Sequence, residues 1–191
     1  MLTRLAARAF WRLSRWTMVA EPLPAGGTVI IGAPHTSNWD FIFMLATGWR
    51  AGVRFSWLGK QQLFAGPLGP IMRGLGGIPV DRSGARGLVA TIVARVEAGE
   101  RLALVVTPEG TRGRGEYWRS GFYRIATGAS LPLTLGFVDR DTMTCGIGPT
   151  IDLSGEVRSD MDAVRAFYED KSGFRPGLVT PPRLREEDAG A

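Results

Sequence analysis

The chain is poor in the residues that most metal and redox centres require. It holds one cysteine, Cys145, and one histidine, His35. No disulfide can close within it, which fits a reducing compartment. One His and one Cys also fall short of the usual zinc ligand set, so no metal and no bound cofactor is expected. Chemistry that needs an imidazole has a single candidate. Long apolar runs are missing too. Nothing reaches the ~18 to 20 apolar residues that span a bilayer, and the longest candidate, Phe41 to Trp49, is far shorter. The first twenty residues lack the apolar stretch and small-residue cleavage site of a secretory signal. There is no G-x-S-x-G elbow, which argues against a serine hydrolase although Ser37 lies close to His35. Zinc-finger spacing, aromatic RNA-binding signatures and recognition-helix patterns are absent, so nucleic acid is not an expected partner.

What remains is the composition of a folded domain. The 191 residues are 45% hydrophobic and 21% charged, enough for one compact unit with a real core and short for two. The 26 glycines fall largely between apolar runs and predict many tight turns. The net charge of +5 favours an anionic partner. Much of that excess sits in Arg4, Arg8, Arg12 and Arg15, all ahead of the first acidic residue, Glu21.

Residues 1–17 read as a helix. The four arginines recur at helical spacing and form one stripe, while Leu2, Leu5, Ala9, Leu13 and Trp16 share another face. A basic face beside a Leu/Trp face suits a helix lying in a membrane interface. An ordinary amphipathic helix packed on the domain shows the same pattern, and so does an organelle-targeting segment.

Further along, Thr28 to Gly32 reads as a buried strand and residues 39–50 as a helix, with Arg50 and Gly52 as stop signals. Val53 to Leu58 suggests a second strand, residues 61–75 short helical pieces around Pro67 and Pro70, and Gly77 to Val80 another strand. A helix over 85–98 puts Leu88, Ile92, Val93 and Val96 inward and ends at Gly99. Leu102 to Val106 is the clearest strand. Residues 116–127 follow as a helix, then a hairpin of 131–138 and 142–147 around Asp139-Arg140-Asp141, then a helix over 160–170. Strands and helices alternate, so the expected fold class is α/β, a mixed central sheet covered by helices. The expected organisation is an amphipathic membrane-interface helix over 1–20, one domain over 21–175, and a poorly ordered Pro- and charge-rich tail over 176–191.

Three polar patches carry the chemistry. The first is His35-Thr36-Ser37-Asn38-Trp39-Asp40, after a strand and at the start of a helix. On one continuous helix the step from His35 to Asp40 rotates by about 140° and would point the side chains apart. The pair is useful only with His35 in the loop and Asp40 in the first helical turn. There a carboxylate can hold the Nδ1 proton, leave Nε2 free as a base and stabilise the imidazolium that forms. An acidic residue near a helix start beside a turn histidine is the plainer alternative. The second patch, Gly76-Gly77-Ile78-Pro79-Val80-Asp81-Arg82, ends in a guanidinium fork suited to phosphate. The third, Thr107-Pro108-Glu109-Gly110-Thr111-Arg112, starts at the carboxyl end of the clearest strand, where open α/β sheets bind ligands. Arg112 suits phosphate, and Glu109 suits orienting that arginine or a substrate hydroxyl. Leu131-Pro132-Leu133-Thr134-Leu135 says only buried strand.

In this order, HTSNWD, GGIPVDR, TPEGTR and LPLTL resemble the glycerolipid acyltransferase superfamily over residues 35–135. The resemblance implies an acyltransferase in which His35 is the general base and Asp40 orients it. It implies that Arg82, Glu109, Gly110, Thr111 and Arg112, with Lys60 as a further phosphate candidate, bind the acceptor. It implies acyl-CoA or acyl-carrier protein as donor and a lysophospholipid as acceptor, with 1-acyl-sn-glycerol-3-phosphate foremost. A glycolipid or aminolipid acceptor would use the same dyad. Work on such substrates implies docking to an anionic membrane surface, peripheral or monotopic, at the cytoplasmic face. A non-enzymatic membrane-binding domain is the competing reading, and it leaves the His/Asp pair without a purpose.

Overall fold

The computed structural model of the chain describes residues 2–80 and 85–188. The polypeptide runs through α1 (Leu2–Ser14), β1 (Thr17–Ala20), β2 (Thr28–Ala33), α2 (Trp39–Ala51) and β3 (Phe55–Lys60). It continues through α3 (Gly69–Gly74), β4 (Gly77–Val80), α4 (Ala85–Glu97), β5 (Ala103–Val106) and α5 (Gly121–Gly128). It ends with β6 (Leu133–Asp139), β7 (Thr144–Ile151), α6 (Val157–Tyr168) and short 3-10 turns. The strands form one sheet in the order β1-β7-β6-β2-β5-β3-β4. From β6 to β4 every neighbouring pair is parallel, β7 runs antiparallel to β6, and β1 pairs parallel with β7. The mixed α/β sheet expected from the sequence is therefore present.

β2 sits at the centre, and its side chains alternate between two cores, as the two-residue period of a strand requires. Val29, Ile31 and Ala33 join Ile92 of α4, Phe122 and Ile125 of α5, and Met161 and Val164 of α6 on one face. Ile30 joins Phe55, Trp57, Phe64, Val105 and Ile147 on the other, with Phe41 and Met44 of α2 packed against them. Burial on both faces explains why β2 reads as a continuous apolar run. α2 stops at Gly52, which takes the left-handed conformation at φ 76° that glycine adopts freely.

Two regions differ from the sequence reading. The first helix ends at Ser14, because Arg15 turns left-handed at φ 62°, and the chain then enters β1 at the sheet edge. That strand has four residues and an exposed pattern, so no periodicity announced it. α1 packs on α2 through Ala7, Phe10 and Trp11, with the Trp11 indole donating to the Ala46 carbonyl at 3.2 Å. Residues 2–20 are thus built into the domain. Leu5 and Leu13 stay exposed beside Arg4, Arg8 and Arg12, so the solvent side of the helix keeps adjoining apolar and basic stripes. The C-terminal segment is the second difference. Residues 176–188 do not form a loose tail. Leu184 is fully buried in the main core, the Trp118 indole donates to the Thr180 carbonyl at 3.0 Å, and Glu187 accepts from the Leu184 amide and from Arg165. Apolar burial and long-range pairing outweigh the Pro-rich local composition there.

Candidate active site

The parallel strands deliver their carboxyl ends to one edge of the sheet. His35 follows β2, Lys60 ends β3, and the Thr107–Arg112 turn follows β5. Asp81 and Arg82, expected beside β4, lie outside the described residues. A cleft of about 1840 Å³ opens over this edge and is lined by His35, Asp40, Lys60, Gly110, Thr111 and Arg112 among others. Its lining includes the apolar side chains Phe41, Met44, Phe55, Trp57, Leu63 and Met72. The lining also carries Arg112, Arg119, Arg124 and Arg185, with Glu116 and Glu186, and Arg124 is paired with Glu186.

His35 lies in the loop and Asp40 in the first turn of α2, the only placement that lets the two meet. Nδ1 of His35 stands 3.0 Å from Oδ2 of Asp40. The approach does not meet hydrogen-bond geometry, and Nδ1 has no hydrogen-bond partner. Oδ2 is fixed from behind by the Ser37 amide, which donates to it at 2.8 Å. Among the described residues, the buried side-chain polar atoms with no hydrogen-bond partner are His35 Nδ1, Asp40 Oδ1 and Glu109 Oε1. All three belong to this site. Native proteins satisfy most buried polar groups, and exceptions concentrate where a site holds strain or does chemistry.

Glu109 is buried beneath the turn rather than exposed on it. Its side chain is 5% exposed and absent from the cleft wall. Oε2 accepts the His35 main-chain N–H at 2.5 Å. Burial pushes its carboxyl up to about 7, against hydrogen bonds from the His35 and Thr180 main chain that favour the charged form. Oε2 of the carboxyl group therefore meets the main chain of the histidine loop.

The remaining expected residues line the cleft. Lys60, Thr111 and Arg112 are exposed. Arg112 donates to Oδ1 of Asn38, which ties the third patch to the first across the helix start. Asn38 makes no capping bond to its own helix. Gly110 holds φ 68°, and a Cβ there would come within 2.5 Å of Nε of Arg119. The missing side chain lets Arg119 lie across the turn. Asn38 and Arg119 escaped the sequence reading, since an Asn at a helix start reads as a cap and a lone Arg after a loop as surface. No helix among the described residues is long and apolar enough to cross a membrane.

Comparison with known proteins follows the same lines. A family model described as acyltransferase matches residues 17–138, more than half of the chain. No curated protein matches the chain in sequence. Among solved structures, the fold is similar to the 1-acyl-sn-glycerophosphate (LPA) acyltransferase PlsC from Thermotoga maritima, with a TM-score of 0.55 at 14% identity. That likeness covers 85% of this chain and 75% of that one.

Proposed function

The chain belongs to the acyltransferase family, and on that premise we propose that it moves a fatty acyl group from a thioester donor to a hydroxyl of a lysophospholipid, 1-acyl-sn-glycerol-3-phosphate foremost. The donor is acyl-CoA or acyl-carrier protein. The observation that carries this reading is the His35–Asp40 contact of 3.0 Å in a cleft lined by both apolar side chains and arginines.

Each part of the cleft has a task in such a reaction. Nε2 of His35 takes the proton of the acceptor hydroxyl as its oxygen attacks the thioester carbonyl carbon. The C–S bond breaks, the ester forms, and the departing thiolate takes the proton back from the imidazolium. Asp40 holds the tautomer that leaves Nε2 free and offsets the charge on the ring in between. No covalent acyl-enzyme is needed. Arg112, helped by Lys60, holds the acceptor phosphate, for which a guanidinium fork is well shaped. The apolar side chains of Phe41, Met44, Phe55, Trp57 and Met72 in its lining suit an acyl chain.

The same reading has the enzyme dock peripherally on an anionic leaflet at the cytoplasmic face. Its support is the exposed Leu5 and Leu13 beside the α1 arginines, together with Trp39, Ile42, Leu63, Leu68 and Ile71, exposed on α2 and around α3. Aliphatic and Trp side chains next to basic residues are the composition of interfacial surfaces. The test is a radiolabelled acyl-CoA assay against lysophosphatidate, other lysophospholipids, a glycolipid and an aminolipid, with products identified by mass. Acylated lysophosphatidate is the expected product. Acylation of a glycolipid or aminolipid alone would move the assignment to that acceptor, and no acylation of any of them would overturn it.

A further inference from the structure

The C-terminal segment lies beyond residues 17–138, the part that the family shares, yet it reaches the back of both catalytic loops. At Gly173, φ is 61° and a Cβ would press to 2.9 Å from Cβ of Pro34 and 3.1 Å from Oγ1 of Thr36. The Arg175 amide donates to that same Thr36 oxygen at 3.0 Å, and Thr36 is fully buried. Five residues on, Thr180 binds the chain just beyond the turn that follows β5. Its Oγ1 accepts the Gly115 amide at 2.8 Å, and its carbonyl accepts the Trp118 indole.

The histidine loop is therefore gripped from two directions. Glu109 takes the main-chain N–H of His35 through Oε2. Gly173 and Arg175 brace the neighbouring Pro34 and Thr36. Glu109, Gly173, Arg175 and Thr180 are not among the residues that line the cleft, whereas Pro34 and His35 are. We propose that Glu109 and the segment Gly173–Thr180 form a positioning frame that holds His35 in reach of the acceptor hydroxyl without touching either substrate. The inference rests on the reading of His35 as the general base.

A frame of this kind acts on the chemical step. The imidazole's orientation follows the main chain that carries it, and a base displaced by a fraction of an ångström loses its line to the proton. Substrate ligands on the open wall, such as Arg112, are untouched by that displacement. Loss of the frame should thus lower kcat and leave both KM values in place, whereas loss of a substrate ligand should raise a KM.

The experiment compares Glu109→Ala, Glu109→Gln and Gly173→Ala with wild type and with His35→Ala as the reference. It measures kcat, the KM for an acyl-CoA and for lysophosphatidate in mixed micelles, and the thermal midpoint. Glu109→Ala is expected to lower kcat by at least about tenfold, as small misplacements do, with each KM within about twofold. Glu109→Gln keeps an acceptor oxygen for the His35 amide and should restore most of the lost kcat. Gly173→Ala pushes on the loop from the other side and should lower kcat in the same pattern.

If Glu109→Ala does not fold, Gly173→Ala decides: wild-type kcat there overturns the frame, and reduced kcat with unchanged KM and midpoint supports it. A raised acceptor KM with intact kcat in Glu109→Ala would make Glu109 a substrate ligand and overturn the proposal. So would a folded Glu109→Gln as poor as the alanine variant, since the hydrogen bond would then be irrelevant. An active His35→Ala defeats the general-base reading itself. An inactive His35→Ala beside wild-type rates in the other variants defeats only the frame.

Discussion

The two loops at the carboxyl edge of the sheet are held in opposite ways. The loop carrying His35 and Asp40 is pinned at almost every residue. Glu109 takes the His35 amide, Arg175 binds Thr36, and the Ser37 amide binds Asp40. The turn after β5 exposes Thr111 and Arg112, and among the described residues Arg112 hydrogen-bonds only to Asn38. A proton transfer tolerates little displacement, so its residues are held by buried main-chain bonds. Binding a phosphate tolerates more, because a cation on a flexible stem can follow its partner. Substitutions in the first loop should therefore act on kcat, and substitutions in the second on KM.

The largest effect sharpens the first half of that contrast. Asp40→Asn keeps the size of the side chain and removes the charge that stabilises the imidazolium. It should cut kcat by at least about 10²-fold with little change in either KM. A variant that mainly raised a KM would show the first loop behaving like the second.

The next effect concerns the buried carboxyl group behind His35. Burial raises the Glu109 carboxyl to about 7 from an ordinary 4.5. The folded state thus binds a proton that the unfolded state has released. The stability this provides is fully present below about pH 4.5 and is lost as the pH rises through about 7. Glu109→Gln cannot ionise and escapes that loss. Its stability relative to wild type should improve by on the order of 2 kcal/mol between pH 5 and pH 8, read from urea melts at the two values. A constant difference would mean that the carboxyl is not in a desolvated site.

A smaller effect concerns charge on the exposed side. Arg8 and Arg12 face solvent beside Leu5 and Leu13. Arg8→Ser with Arg12→Ser should weaken partition onto anionic vesicles by roughly 30-fold, at about 1 kcal/mol per arginine, and salt should mimic the change. Activity on a short-chain soluble acceptor should survive. Point variants are preferable to deleting α1, because Ala7, Phe10 and Trp11 cover Phe43 and its neighbours. Unchanged sedimentation with vesicles would assign docking to another surface.

The smallest effect belongs to the exposed turn. Arg112→Lys keeps the charge and loses the planar fork, so the acceptor KM should rise by about tenfold at nearly constant kcat. A shift in the donor KM alone would give Arg112 to the carrier's phosphates instead.

Much of this arrangement was legible from residue order. TVIIG, the LALVV run and the strand–helix alternation led to the parallel centre of the sheet, because buried strands announce themselves by composition. His35 and Asp40 met as their spacing required, since only one loop-and-helix geometry joins them. What escaped depends on contacts distant in sequence. β1 is too short and exposed to show a period, and its helix boundary rests on Arg15 in a conformation that glycine usually takes. Residues 176–188 look like a solvated tail until Leu184 finds the core and Thr180 finds Trp118, contacts 62 positions apart in the case of the indole bond. Glu109 reads as a polar turn residue by its neighbours Gly110 and Thr111, and only the fold turns it inward.

The central claim is that His35 is the base for acyl transfer. The most direct measurement is the rate of [14C]acyl transfer from acyl-CoA to lysophosphatidate by wild type and His35→Ala, with circular dichroism to establish that both are folded. The account predicts a folded variant whose kcat is lower by at least about 10²-fold. A folded His35→Ala that transfers acyl groups within about threefold of wild type would contradict it, since general-base catalysis contributes far more than that.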